Sequence, residues 1–371
     1  MSFPARTEFS AAPAIEALPP STPFIGPEQL MRESGRGSLL RLGANESTFG
    51  PSPKAVAAMT AELPRLAWYG DPESYDLREA LADKHDLSID NICIGSGIDE
   101  LMGLAVRAYL PPGGLALALR GTYPTFTYHV IGYGGRLESV DYAAQGRPDI
   151  DALIARAMEC KPKIVYLANP DNPSGALVSA AEVARLFEKL PESLFLLDEA
   201  YADFLEESAL LPQLMDGRLI RLRTFSKAYG LAGARIGYAI STASNIQTFG
   251  KIRLQYGVNR NAQVGALAAL ADQQFVRWVV SEVARGRREY YELAQSLGLA
   301  YLQSHTNFVC IDFQRSQRAT QIVSALLARG VFVRKPGAPP LDRFVRVSVG
   351  TPPEREQFGV CLRGLLEEVP A

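Results

Sequence analysis

The 371-residue sequence is poor in cysteine, with four (Cys93, Cys160, Cys310, Cys361) widely scattered and none forming a CxxC pair. That scatter excludes a disulfide framework and a zinc-ligand pattern, and it implies a reducing, cytoplasmic setting. Three histidines (His85, His129, His305) stand equally far apart, so no metal site is expected. No apolar run approaches the roughly 18 residues of a membrane-spanning helix. The first twenty residues, MSFPARTEFSAAPAIEALPP, also lack the continuous apolar core of a secretory signal. Charge of either sign is unremarkable, since 38 Lys+Arg against 40 Asp+Glu leave a net −2. That balance excludes the basic excess of a nucleic-acid binder. No internal repeat is visible. What remains is ordinary globular composition, 47% hydrophobic and 21% charged, which suffices for a sizeable core.

Residues 12–24, rich in Pro, Ala and Ser, are expected to form an extended N-terminal arm. From about residue 90, short apolar runs alternate with helical patterns. Ile92–Ile94, Leu115–Leu119, Ile164–Ala168, Leu194–Leu197, Leu219–Leu222 and Gly237–Ile240 read as strands. Asp99–Tyr109, Asp149–Ala157 and Ser179–Leu190 read as helices, the last opened by a capping box of Ser179 and Glu182. Such alternation implies an α/β fold with a mostly parallel, doubly wound central sheet flanked by helices. A long helical region over Ala262–Leu297 follows. The pattern then becomes Phe308–Asp312, Ala319–Arg329, Val331–Arg334, Phe344–Val349 and Glu354–Glu368, read as a smaller α+β domain.

In an open parallel sheet, ligands sit beyond the carboxyl ends of the strands. Four strand ends carry polar residues: GSGIDE (95–100), NPDNPSG (169–175), DEAY (198–201) and RTFSKAYGLAGARIG (223–237). Lys227 alone reads as a solvated loop lysine. Asp198 alone reads as a helix N-cap, yet it directly follows the apolar run LFLL, where a carboxylate is poorly solvated and needs a cationic partner. A lysine and an aspartate so placed suit pyridoxal phosphate (PLP), the lysine as its Schiff base and the aspartate on the pyridinium nitrogen. GSGIDE opens a helix, so the backbone N–H groups of Gly97, Ile98 and Asp99 can face an anion. Glycine turns are common, and the motif is weak by itself.

With these residues in view, the chain resembles the fold-type I PLP-dependent aminotransferases of the aspartate aminotransferase superfamily, and is most similar to histidinol-phosphate aminotransferases. The similarity runs from about residue 20 to the C-terminus. It rests on LGANESTFGPSP (42–53), YGDPESYDLREAL (69–81), GSGIDEL (95–101), YPTF (123–126), NPDNPSG, DEAY, TFSKAYGLAGARIGY (224–238) and FVRVSVGT (344–351). The resemblance implies residues 1–45 as an N-terminal arm and part of the small domain, 46–262 as a large PLP-binding domain, and 263–371 as the small C-terminal domain.

It also implies roles. Lys227 forms the Schiff base and moves the proton, Asp198 keeps the ring nitrogen protonated, and Tyr201 and Asn172 hydrogen-bond the ring hydroxyl. Phe126 is expected to stack on the ring, with Tyr123 the alternative. The phosphate falls to Ser96, Gly97, Ile98, Thr224, Ser226 and Arg235, and to Tyr69 from a partner subunit, which implies a homodimer. Tyr69 by itself reads equally as a packed aromatic beside Trp68. Asn45, Arg334 and Arg346 are the implied substrate contacts; strand alternation would alternatively place Arg346 on a solvated face. The implied reaction transfers an amino group from a small-molecule donor, best matched by L-histidinol phosphate, to 2-oxoglutarate.

Three positions depart from the family pattern. Phe24 stands where a tyrosine is usual, Ile98 replaces Ser or Ala, and Arg260 brings a cation that either binds substrate anion or is exposed. These leave an aromatic or other amino acid as an alternative donor. Two further readings compete: a decarboxylase resembling threonine-phosphate decarboxylase, and a non-catalytic sensor on this fold. The sensor would carry a basic helix-turn-helix segment, for which the N-terminal stretch is too short and too neutral.

Overall fold

The structure is a computed structural model that describes residues 9–16, 18, 25–212 and 214–368. In chain order come α1 (Pro13–Glu16), α2 (Pro27–Ser34), β1 (Leu40–Arg41), α3 (Pro53–Glu62), α4 (Tyr75–His85), β2 (Ile92–Gly95), α5 (Ile98–Tyr109), β3 (Leu115–Leu119), α6 (Pro124–Gly132) and β4 (Arg136–Val140). Next are α7 (Ile150–Cys160), β5 (Ile164–Ala168), α8 (Ala180–Lys189), β6 (Leu194–Asp198), β7 (Leu219–Thr224), β8 (Gly237–Ile240), α9 (Ala243–Gly250), α10 (Arg260–Leu270) and α11 (Gln273–Ser296). The chain ends with β9 (Ala300–Leu302), β10 (Phe308–Asp312), α12 (Ser316–Ala328), β11 (Val331–Phe332), β12 (Phe344–Ser348) and α13 (Pro352–Glu368).

Seven strands form the large sheet in the order β2-β8-β7-β6-β5-β3-β4. Every pairing is parallel except the two made by β8. The central strands β5 (IVYLA) and β6 (LFLLD) are buried along their whole length, as expected of strands covered on both faces. One face packs on α5, through Leu101, Met102 and Ala105, and on Phe126 of α6. The other joins a larger core that extends to the antiparallel sheet β12-β10-β9. β1 pairs with β11, bringing residues 40–41 beside 331–332.

Caps fix several helix starts. Ser52, Asp149 and Asn259 accept from the N–H groups of Ala55, Ala152 and Ala262, and the Ser179–Glu182 capping box forms as its spacing predicts. Helix α5 differs: Gly97 precedes it at φ +86°, and no side chain caps it. Its first N–H groups, which like those of any helix have no intrahelical partners, therefore receive no side-chain cap either.

The fold departs from expectation in four places. Residues 262–297 are two helices, because Asp272 leaves the helical region (φ −102°, ψ 57°) and turns the chain between α10 and α11. The mixed sequence RLESV forms β4, an edge strand that shows no clean alternation. The strand expected over Val331–Arg334 stops at Phe332, with Arg334 making an isolated bridge to Arg346. Pro13–Glu16 in the expected extended arm is one helical turn, lying against α6. Among the described residues, no helix is long and apolar enough to cross a membrane, and no group of His, Cys, Asp and Glu side chains suits a metal ion.

Candidate active site

A cavity of about 670 Å³ opens where β5, β6 and β7 end and α5 begins. Residues 26–28, 41–46 and 334–337 close its other side, together with Arg346 of β12. Lys227, Asp198, Tyr201, Asn172, Thr224, Ser226, Arg235, Ile98, Asn45, Arg334 and Arg346 all border this one space, so residues up to 301 positions apart meet there.

Asp198 is the last residue of β6 and only 5% exposed. Its Oδ2 accepts from the Tyr166 hydroxyl at 2.7 Å and its Oδ1 from the Ala200 N–H at 3.0 Å. Burial pushes its pKa up to about 6, while those two hydrogen bonds pull the other way. The next residue, Glu199, faces away from Asp198's partners and is held by Arg221 (2.7 and 2.9 Å) and Arg223 (3.0 Å). Burial raises the Glu199 pKa, but the two guanidinium charges outweigh it and the net shift is downward. The DEAY motif thus holds one carboxylate saturated by arginines and one met by neutral donors.

Lys227 stands across the cavity, its Nζ donating to the Asn45 carbonyl at 3.0 Å and lying 5.7 Å from the Tyr201 ring centre. Burial, reinforced by the Arg346 charge, lowers its pKa to about 8. A substantial neutral fraction near pH 7–8 follows, which makes it a competent nucleophile and base. Asn45 holds the adjacent wall: its Nδ2 donates to the Tyr201 hydroxyl at 2.9 Å, and its N–H donates to Ser348 Oγ at 3.0 Å. Burial pushes the Tyr201 phenol up to about 12, against the Arg346 charge and the Asn45 hydrogen bond.

At the α5 end, Arg235 points a guanidinium toward the uncapped helix start. Its Nη2 reaches Asp99 Oδ2 at 3.1 Å, and a Cβ added at Gly97 would sit 2.6 Å from that nitrogen. Thr224 and Ser226 bring buried hydroxyls, joined at 2.9 Å. Helix dipole, guanidinium and hydroxyls together make an anion site. At the opposite end, Arg346 Nη1 donates to Asn172 Oδ1 at 2.6 Å and its guanidinium lies 5.2 Å over the Phe308 ring. Its Nε is buried with no hydrogen-bond partner among the described residues. Arg334, beside it, donates to the Ile25 carbonyl at 2.8 Å, and burial and the Arg346 charge both lower its pKa. These groups suit a flat, phosphorylated ring with a basic nitrogen and an aldehyde: an anion cradle, a buried carboxylate, and an amine of lowered pKa on one wall.

Four expected site residues lie elsewhere. Phe126 is fully buried and stacks on Tyr166 (4.6 Å, 15°), away from the cavity. The aromatic that borders the cavity is Tyr123, its hydroxyl donating to Asp99 Oδ1 at 2.8 Å. The reason is helix phase: α6 starts at Pro124, so Tyr123 stays outside the helix and Phe126 turns into the core. Ser96 ties its Oγ to the Gly257 carbonyl at 2.5 Å, and Gly97 lies behind the Arg235 guanidinium; neither borders the cavity. Tyr69 is 76% exposed and stacks on Tyr256 at 4.5 Å. Arg260 is neither exposed and free nor in the cavity: it pairs with Glu62 at 2.5 Å and donates to the Tyr69 carbonyl at 3.0 Å. Phe24 lies outside the described residues. The Asp99 side chain, Tyr123 as the facing aromatic, and Tyr166 complete the local picture. Only the second had a signal, the first aromatic of YPTF.

Residues 38–358 match the family model for aminotransferase class I and II. A histidinol-phosphate aminotransferase of Bacillus licheniformis is 34% identical over 359 residues, covering 95% of this chain and 98% of its own. The crystal structure of histidinol-phosphate aminotransferase from Sinorhizobium meliloti in complex with pyridoxal-5'-phosphate superimposes with a TM-score of 0.93 at 42% identity, covering 99% of this chain and all of the other. An aspartate aminotransferase from Thermus thermophilus shares the fold at a TM-score of 0.80 and 22% identity, over 96% of this chain and all of that one.

Proposed function

The chain belongs to the aminotransferase class I and II family, and from that premise we propose that it uses PLP to transfer the amino group of L-histidinol phosphate to 2-oxoglutarate. Bound PLP supplies an aldehyde that links to amines and a ring, protonated at its nitrogen, that serves as an electron sink. Lys227 Nζ is the amine that would hold that aldehyde carbon and give way to a donor amine. Its lowered pKa would suit it to take the proton from the donor Cα as a general base. Asp198, nearly out of water, keeps the ring-nitrogen proton in place by charge. Tyr201 and Asn172, which border the cavity, would hydrogen-bond the ring hydroxyl, and Tyr123, which borders it where Phe126 does not, would cover a ring face. The N-terminus of α5, Thr224, Ser226 and Arg235 bind the phosphate.

Arg346 and Arg334 take the anionic end of either substrate, the donor phosphate or the second carboxylate of the acceptor. Asn45, on the loop between them and Lys227, orients the bound molecule. In this reading residues 46–262 form the large cofactor-binding domain, while 1–45 and 263–371 form the arm and small domain. The active unit is a cytoplasmic homodimer in which Tyr69 reaches the phosphate site of a second copy. Its exposed stack on Tyr256, beside exposed Trp68, supports that placement.

The observation that carries the proposal is Asp198: a carboxylate 5% exposed, hydrogen-bonded only to neutral donors, in the same cavity as a lysine of lowered pKa. A donor panel tests it, with histidinol phosphate, phenylalanine, tyrosine, leucine and aspartate added singly to the PLP-loaded enzyme. Histidinol phosphate should bleach the visible band at the lowest concentration, and 2-oxoglutarate should restore it. Preferential bleaching by phenylalanine or tyrosine, or release of CO2 without restoration, would overturn the assignment.

A further inference from the structure

Among the described residues, the Asp198 carboxylate has no arginine or lysine as a hydrogen-bond partner; its two partners are the Ala200 N–H and the hydroxyl of Tyr166. Tyr166 is 1% exposed, in the middle of β5, and does not border the cavity. The sheet register explains how it reaches. Ala168 pairs with Asp198 across β5 and β6, so Tyr166, two residues earlier, shares that face and meets the carboxylate on the diagonal. Phe126 lies flat against the phenol at 4.6 Å, which fixes the direction of the hydroxyl. The hydroxyl donates to Oδ2 at 2.7 Å, within the range of charge-assisted hydrogen bonds.

We infer that Tyr166 is a positioning residue for the reaction, holding Asp198 ionised and aimed at the ring nitrogen without itself touching cofactor or substrate. The inference rests on the reading of Asp198 given under the proposed function. Other charged and titratable groups facing Asp198 do not replace this contact. Asp99 at the start of α5 opposes its ionisation, Lys227 beyond β7 favours it more weakly than the Tyr166 hydrogen bond does, and the Asp198 charge acts in turn to raise the phenol pKa values of Tyr123 and Tyr201. With the hydroxyl removed, the ionised carboxylate keeps one donor in a site that already penalises charge. Asp198 then takes up a proton at higher pH, and a neutral Asp198 no longer retains the proton on the ring nitrogen.

Tyr166→Phe isolates the effect, because the ring stays buried against Phe126 and only the hydroxyl is lost. Two quantities are measured: the PLP dissociation constant of the apo protein at pH 5, and the pH profile of kcat. At pH 5 the variant should bind PLP about tenfold more weakly, because a rise of about one unit in the Asp198 pKa leaves about a tenth as much of it ionised there. Its acid limb should move up by about one pH unit, with kcat reduced and donor KM nearly unchanged. PLP affinity within twofold of the parent, with the acid limb unmoved, would overturn the inference. Asp198→Asn, assayed in parallel, separates the two readings. If it too leaves PLP affinity unchanged, the assignment of Asp198 fails along with that of Tyr166. If it weakens PLP while Tyr166→Phe does not, only the role of Tyr166 is lost.

Discussion

Replacing Gly97 with alanine attacks the anion cradle through its backbone. Gly97 sits at φ +86° and ψ 175°, a conformation open in practice only to glycine. Forcing alanine into it costs about 1–3 kcal/mol of folded stability. The new methyl also lands 2.6 Å from Arg235 Nη2 and 3.2 Å from its Cζ, so the guanidinium must leave. It can do so cheaply, since the Arg235 side chain is 45% exposed and its pair with Asp99 is a solvent-facing one. The stability loss therefore comes from the backbone, and the functional loss from a guanidinium no longer aimed at the α5 N-terminus. A hydrogen bond to a charged partner contributes about 1.5–3 kcal/mol, so the PLP dissociation constant should rise roughly tenfold to a hundredfold. Equilibrium titration of apo protein with PLP reads the affinity, and urea denaturation of the same apo samples reads the stability. A variant that loses stability yet binds PLP within twofold of the parent would refute the cradle.

Two further outcomes follow from the same geometry. Arg346→Ala should raise the donor KM at least roughly thirtyfold, from the loss of about 2–5 kcal/mol for a buried charged contact, while PLP affinity changes less than threefold. Saturation kinetics and PLP titration check this, and an unchanged KM would make Arg346 a packing residue. Asp198 gives a pH signature in the apo protein. Its folded pKa of about 6 lies above the ordinary 3.8, so folding disfavours the ionised form. The cost is absent below about pH 4, grows between 4 and 6, and is complete above 6, reaching at most about 3 kcal/mol. Apo Asp198→Asn should accordingly be more stable than the parent above pH 6 and converge with it near pH 4. Equal differences at pH 4 and pH 8 in chemical denaturation would contradict the shift.

The strand ends were readable because each apolar run stops at a polar residue, and the run LFLL into Asp198 states its own electrostatic problem. That gave the order along the chain of residues that border the cavity, Lys227, Asp198 and Arg235 among them. Tyr166 escaped notice because it sits inside an apolar run, IVYLA, where an aromatic reads as core. Phe126 and Tyr123 are three apart in one motif, and only the start of α6 at Pro124 decides which faces the cavity. The Arg260–Glu62 pair spans 198 positions, so no local pattern announces it. β4 and the break at Asp272 are set by tertiary placement, an edge position in one case and a change of helix direction in the other.

The central claim is that Lys227 carries the cofactor, and borohydride reduction of the PLP-loaded protein tests it most directly. Reduction should remove the visible band and leave, after proteolysis, a single pyridoxyl-bearing peptide with the added mass on Lys227. Label on a different lysine, or a protein that stays colourless and unlabelled after PLP reconstitution, would contradict the account.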